Sequence, residues 1–85
     1  MMDDRKPIRL TGEQAWIMAE LLADDFIEPK PGQPGAWWFH WSNADVHRYS
    51  VTGLQAMRLV TCHGKRIVAS GTARELGRRL YDGTE

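Results

Sequence analysis

Three of the four tryptophans in this chain, with a phenylalanine, fall within five consecutive positions, Trp37-Trp38-Phe39-His40-Trp41. No other feature constrains the fold as much, because the chain has only 85 residues. A single domain of that size, residues 1–85, buries little more than roughly 60% of its unfolded surface, so each large apolar side chain has a prior claim on the core. In a strand, period-2 alternation puts Trp37, Phe39 and Trp41 on one face and Trp38, His40 and Ser42 on the other. Residues 29–35, Pro-Lys-Pro-Gly-Gln-Pro-Gly, form a Pro/Gly-rich loop before this strand. Ser42 to Asp45 supplies turn residues after it, and Val46 to Val51 reads as a returning strand.

Register then decides which side chains meet, since a slip of one residue exchanges the faces. A three-residue loop places Trp37, Phe39 and Trp41 with His47, Tyr49 and Val51, and leaves Trp38, His40, Arg48 and Ser50 on the reverse. A two- or four-residue loop sets Trp37, Phe39 and Trp41 against Val46, Arg48 and Ser50, with His40 opposite His47. The first builds the more apolar face and is preferred. It makes Trp37, Phe39 and Trp41 core and leaves Trp38 exposed beside His40 and Arg48, whose guanidinium can stack on the indole. The alternative is that a second helix or another subunit covers Trp38.

Two helices flank this region. Thr11 and Gln14 have the spacing of a capping box, and residues 11 to 28 are rich in helix formers. Ala15, Ala19, Leu22 and Phe26 fall on one face, flanked by Trp16 and Met18, while Ile17 and Leu21 interrupt a polar back. Thr72 and Glu75 repeat the box spacing before Ala73, Leu76 and Leu80, with Gly83 as a stop and Arg74, Arg78 and Arg79 on the outer side. Between them, Leu59 to Cys62 and Arg66 to Ala69 read as a hairpin turning at His63-Gly64. Against that, Thr52-Gly-Leu-Gln-Ala echoes Thr11-Gly-Glu-Gln-Ala, which would make residues 53–62 a helix. The expected class is α+β: an N-terminal helix, an antiparallel sheet of three to four strands and a C-terminal helix, with β-α-β-β-α-β plus a final helix as the alternative. Residues 1–6 are expected to be a flexible N-terminus.

The chemistry-bearing residues are sparse. His40, His47, His63 and Cys62 have no CxxC or HxxxH spacing, and adjacent strand residues Cys62 and His63 point to opposite faces, so no metal and no cofactor is expected. The same geometry prevents a Cys62–His63 catalytic pair, and Cys62 reads as buried and inert. Asp3-Asp4 and Asp24-Asp25 read as a solvated tail and a helix surface. No phosphate-binding glycine loop or nucleophile elbow occurs, and no enzymatic activity is expected. The acidic start lacks an apolar signal region, no run is long enough to span a membrane, and one cysteine fits a reducing compartment; the expectation is a cytoplasmic protein without a membrane partner.

Charge is split along the chain. Residues 1–45 carry eight acidic and four basic side chains, and residues 46–85 carry three and seven, so the halves are −4 and +4 within a net charge of zero. Opposite halves can attract each other within one fold or across a homodimer. They also permit nucleic-acid binding through Arg48, Lys65, Arg66, Arg74, Arg78 and Arg79. The run from Leu21 through Trp41 resembles the entry to a winged-helix wing, although residues 1–10 are too few for the missing recognition helix. Residues 63–80, His-Gly-Lys-Arg-Ile-Val-Ala-Ser-Gly-Thr-Ala-Arg-Glu-Leu-Gly-Arg-Arg-Leu, are similar to the C-terminal pattern of HicA-type toxins, small RNases of α-β-β-β-α fold. The family's catalytic Gly-Ser-His step has only Gly35-Ala36-Trp37 as its nearest match, so the resemblance does not imply activity. The resulting expectation is a small interaction module for a macromolecular partner, a protein before RNA or DNA, of the inhibitor or adaptor kind found in bacteria and phages, anti-CRISPR proteins included. Its contact residues would be Trp38, His40, Arg48, Arg74, Arg78 and Arg79.

Overall fold

The first helix, α1 (Gly12–Leu22), starts where its capping box predicts: the Thr11 hydroxyl accepts the Gln14 amide and the Gln14 carboxamide accepts the Thr11 amide, each at 3.1 Å. These positions come from a computed structural model that describes residues 9–77. The helix stops well before residue 28. Asp24, at φ 75°, takes the left-handed position of a Schellman motif, with Asp24 N–H donating to the Leu21 carbonyl and Asp25 N–H to the Glu20 carbonyl. Its buried face is Gln14, Ile17, Met18 and Leu21, not the alanine stripe ending at Phe26. Ile17, Met18 and Leu21 remove more apolar area from water than Ala15 and Ala19 can, so they take the core. Ile17 and Leu21, which interrupt the polar back of the helix in the sequence, are thereby buried inside the domain.

Freed from the helix, Phe26 leads into β1 (Ile27–Pro29), and the Pro/Gly loop returns the chain as β2 (Trp37–Phe39). Lys30 N–H donates to the Ala36 carbonyl, and Gly32 and Gly35 take the positive φ values of 77° and 86° that the loop requires. A four-residue turn, His40 to Asn43, then joins β2 to β3 (Asp45–Val46). Asn43 at φ 59° completes it, and Phe39 N–H donates to the Ala44 carbonyl. Trp37 therefore pairs with Val46 and Trp38 with Asp45, in the register with the less apolar face. The expected returning strand ends at Val46. His47 caps α2 (Arg48–Ala56), its Nδ1 accepting Tyr49 N–H at 3.3 Å while Glu13 of α1 accepts His47 N–H at 3.0 Å. Val51 and Leu54, three apart, are buried. The second Thr-x-x-Gln spacing is not a cap, since Thr52 Oγ1 donates back to the Arg48 carbonyl.

A third non-glycine left-handed residue, Arg58 at φ 60°, ends α2 and delivers Leu59 to the core. The expected hairpin follows as β4 (Val60–His63) and β5 (Arg66–Ala69), closed by Gly64-Lys65; of the alternative helix 53–62, residues 53–56 are helical as the end of α2 and the rest is not. Ser70, rather than Thr72, caps α3 (Gly71–Leu76), its Oγ accepting Ala73 N–H and donating to the Arg58 carbonyl. The outcome is an α+β fold with one antiparallel five-stranded sheet of order β3-β2-β1-β5-β4, more strands than expected. The unforeseen strand is β1, of three residues, and the expected returning strand is cut to the two residues of β3. Ile27, Phe39 and Ile67 align across the centre beneath α1 and α2, and Ala73 joins the same core. The pairing of β1 with β5 joins the acidic and basic halves, with Asp24 and Arg74 also 3.8 Å apart. Charge complementarity thus acts within this fold. No described helix is long and apolar enough to cross a membrane. Residues 1–6, Arg78, Arg79, Leu80 and Gly83 lie outside the described residues.

Gly53 explains how α2 sits so close to α1. A Cβ there would lie 2.5 Å from Gln14 Nε2, and Gln14 is not free to withdraw because its carboxamide completes the α1 cap. Gly53→Ala is expected to lack the roughly 1 kcal/mol that a helical Gly→Ala change otherwise contributes. Adding Gln14→Ala should restore that increment relative to Gln14→Ala alone. Urea midpoints of the four chains measure this coupling.

Candidate functional site

With α1 and α2 on one face, the other face of the sheet carries no helix among the described residues. Alternation along the strands decides what it displays. Glu28 is opposite Trp38, Trp38 opposite Asp45, and His63 opposite Arg66. Since Ile27 pairs with Ile67, the next antiparallel step sets Glu28 beside Arg66. One row of side chains, His63, Arg66, Glu28, Trp38 and Asp45, consequently crosses all five strands on the helix-free face.

Glu28 organises the centre of this row. Its Oε2 accepts the Trp38 indole N–H at 3.0 Å and meets His40 Nδ1 at 3.1 Å. Phe26, brought alongside by the bond from His40 N–H to its carbonyl, stacks on the imidazole with centroids 4.6 Å apart and planes at 16°. From the β5 side the Arg66 guanidinium lies 4.4 Å from the Phe26 ring centre. Because β1 lies between β2 and β5, Phe26 is enclosed between His40 and Arg66. Lys30 reaches over Trp38 at 5.7 Å and pairs with Asp45 at 2.8 Å. Trp41 rises at one end, 70% exposed, with its ring edge-on to His40 at 4.6 Å.

Asp25 holds the turn from which Trp41 projects. Its carboxylate is buried and accepts three backbone amides: Phe26 at 2.8 Å, Trp41 at 2.9 Å and Ser42 at 3.2 Å. Asp25 is therefore a buried anchor and not part of a helix surface. Trp41, expected in the core, stands outside because the four-residue turn starts at His40 and removes residue 41 from the strand's alternation. Phe39 is fully buried as expected, and Trp37 packs partly against the core.

The contact residues expected from sequence are only partly gathered. Trp38 and His40 share the clamp on Glu28. Arg48 is exposed on α2, across the sheet from Trp38, and the cation over the indole is Lys30. Arg74 lies on α3 with Asp24, while Arg78 and Arg79 are outside the described residues. Phe26, Glu28, Lys30 and Trp41 were missed, and Arg66 was named only as a possible phosphate contact. The alternation Phe26-Ile27-Glu28 carried a strand signal for the first two of them, hidden by the helix period assigned to the same residues.

Cys62 is exposed, not buried. It shares the face of Ile67 but sits on the outermost strand, where Gln55 Nε2 approaches its sulfur at 3.7 Å. Adjacent positions on β4 direct Cys62 and His63 to opposite faces. Among the described residues, no group of three or more His, Cys, Asp or Glu side chains is placed to hold a metal ion. A scan against protein-family models found no match, and searches of curated proteins and solved structures found no significant one. The order α-β-β-β-α-β-β-α also departs from the five-element order implied by the likeness of residues 63–80 to HicA-type toxins.

The clamp carries an electrostatic signature. The Trp38 hydrogen bond, then the His40 bond and the positive charges of His40 and Arg66, hold the Glu28 carboxyl below its ordinary value of 4.5 against an opposing contribution from burial. A lowered folded pKa means that the clamp's stabilisation is complete above the ordinary carboxylate range and is lost as pH falls through the lowered pKa. In an acid titration followed by NMR, the Trp38 indole N–H resonance should move with a midpoint below the ordinary value of 4.5. Glu28→Gln should abolish that movement. A midpoint at or above the ordinary value would contradict the clamp.

Proposed function

We propose that this protein is a non-enzymatic interaction module that binds a protein partner through the helix-free face of its sheet, acting as an inhibitor or adaptor. The observation that carries the reading is the preassembled aromatic surface of Phe26, Trp38, His40 and Trp41, fixed by Glu28 and Asp25. Rings held in one arrangement lose little further entropy on association, and a tryptophan raised at the end of such a surface is a favoured binding anchor. Cations and carboxylates alternate across this face, in Arg66, Glu28, Lys30 and Asp45, which suits the mixed charge of a protein surface better than a phosphate backbone.

The rival reading is single-stranded nucleic acid, favoured by the cations over Phe26 and Trp38. Against it, Phe26 already has His40 on one side and Arg66 on the other, so it has no free face for a base. Trp41→Ala is expected to change stability by less than about 0.5 kcal/mol, as an exposed substitution does. It should weaken capture of the partner from source cells roughly 30-fold, as expected for an anchor worth about 2 kcal/mol. Equal capture by both proteins would remove Trp41 from the interface. Fluorescence titration with single-stranded RNA and DNA at low salt should show no binding, and steep salt-dependent binding would reverse the choice of partner.

A further inference from the structure

The two edges of the sheet are not equivalent. At one edge, β3 has two residues, and its Asp45 is already paired with Lys30. At the other, β4 has four residues, and Thr61, Cys62 and His63 are exposed. It has neither the proline nor the bulge with which sheet edges are commonly protected. Hydrogen bonding to β5 alternates along an antiparallel pair, and the bond from Ser70 N–H to the Leu59 carbonyl fixes the phase. Leu59, Thr61 and His63 point their backbone groups toward β5. Val60 and Cys62 point theirs away, Val60 from a largely buried residue and Cys62 from an exposed one, and neither makes a backbone bond beyond the sheet ladder among the described residues.

The stretch of chain that contributes this edge carries charge of one sign. From Val46 to Arg74 the sequence contains no Asp or Glu, but has Arg48, Arg58, Lys65, Arg66 and Arg74. Arg58 precedes β4, Lys65 lies in the turn that follows it, and Arg66 stands opposite His63. We infer that the free edge of β4 takes an extended acidic segment of a protein partner as a sixth strand. The outward N–H and C=O groups of Val60 and Cys62 supply the main-chain bonds. Alternate carboxylates of the incoming strand lie on the helix-free face beside His63 and Arg66, with Lys65 at the turn. Nucleic acid has no backbone amides or carbonyls to pair with the edge, so the peptide is the occupant that uses both observations. This site adjoins the aromatic surface, sharing Arg66 with it, but its main-chain bonds lie on β4 and do not involve Trp41.

A capped ten-residue peptide alternating Glu with Val, titrated into the full chain and followed by amide NMR, tests the assignment. The expected result is that the Val60 and Cys62 amides shift and gain exchange protection, with at least tenfold weaker binding of the corresponding Lys-Val peptide. Cys62→Pro removes an outward donor at a position where an edge strand tolerates proline, and should abolish binding while β5 amides keep their protection. Should that variant not fold, Lys65→Glu provides the second arm: it should weaken the Glu-Val peptide by about fivefold, as for a partly exposed charge, and strengthen the Lys-Val peptide. Equal binding of the two peptides, or shifts centred on Trp41 and Lys30 with Val60 and Cys62 unmoved, would overturn the proposal. So would displacement of the bound peptide by single-stranded RNA acting at the same amides, or a concentration-dependent dimer in which β4 amides are protected without peptide.

Discussion

Phe39→Ala is expected to destabilise the domain by roughly 3 to 5 kcal/mol, the range for truncating a buried aromatic. Total stability is about 5–15 kcal/mol for ordinary domains, and one this small belongs near the lower end. A large unfolded fraction at 37 °C is therefore expected. The effect is large because of where β2 lies. Phe39 is 0% exposed, it pairs with Ile27 of β1, and the Trp16 ring of α1 meets it edge-on at 5.3 Å. Removing the ring opens a cavity between the sheet and α1, and Trp16 cannot fill it without moving the helix. Denaturation should show a lower midpoint with an unchanged slope. A loss below about 1 kcal/mol would mean that this site collapses as a well-packed core does not.

The second large effect is expected at Asp25. Its two carboxylate oxygens accept amides from Phe26, Trp41 and Ser42, tying the end of α1 to the β2–β3 turn. Asp25→Ala leaves those three donors without partners and should cost about 2 to 4 kcal/mol, given about 1 to 3 kcal/mol for each buried group left unsatisfied and partial rescue by water at the exposed turn. Asp25→Asn separates the contribution of geometry from that of charge. One oxygen can still serve Phe26 and Trp41, but the amide NH2 then faces the Ser42 N–H, so about half the loss is expected. Thermal unfolding measures both. NMR of the Trp41 indole and the His40 ring should show the turn loosened before the core melts. If Asp25→Ala unfolds at the wild-type temperature, the three amides are solvated and the turn is held by Asn43 alone.

Trp41 shows why the sequence was legible in some places and not in others. Alternation correctly opposed Trp37 and Phe39 to Trp38 and His40, because side chains within a strand must alternate. It failed at Trp41, where the strand had already ended. The end was set by Asn43 in a left-handed turn and by Asp25, sixteen residues before Trp41. The helix boundaries failed for a related reason. Asp24 and Arg58 adopt left-handed φ values without being glycine, so α1 and α2 stop at residues that carry no local stop signal. Their cost, smaller for Asp than for Arg, is offset by the burial of Ile27, three residues after Asp24, and of Leu59, next to Arg58.

What the sequence determined by itself is what depends on neighbours within about four positions. The Thr11–Gln14 cap is one such feature. The β4–β5 hairpin around Gly64, the Pro/Gly loop and the pairing of faces along residues 37–40 are the others. Each is a local steric or hydrogen-bonding preference, satisfied before any distant contact forms. Tertiary structure alone decided that residues 27–29 become the central strand, since a three-residue segment has no stability apart from β2 and β5 on either side of it. It also decided that residues 48–56 become a helix, because Val51 and Leu54 have a core to face only once α1 and β4 are present. The candidate surface is of the same kind: Phe26, Glu28, Trp38, His40 and Arg66 become neighbours only when the sheet assembles, because hydrogen-bonded strands bring side chains within reach regardless of their separation along the chain.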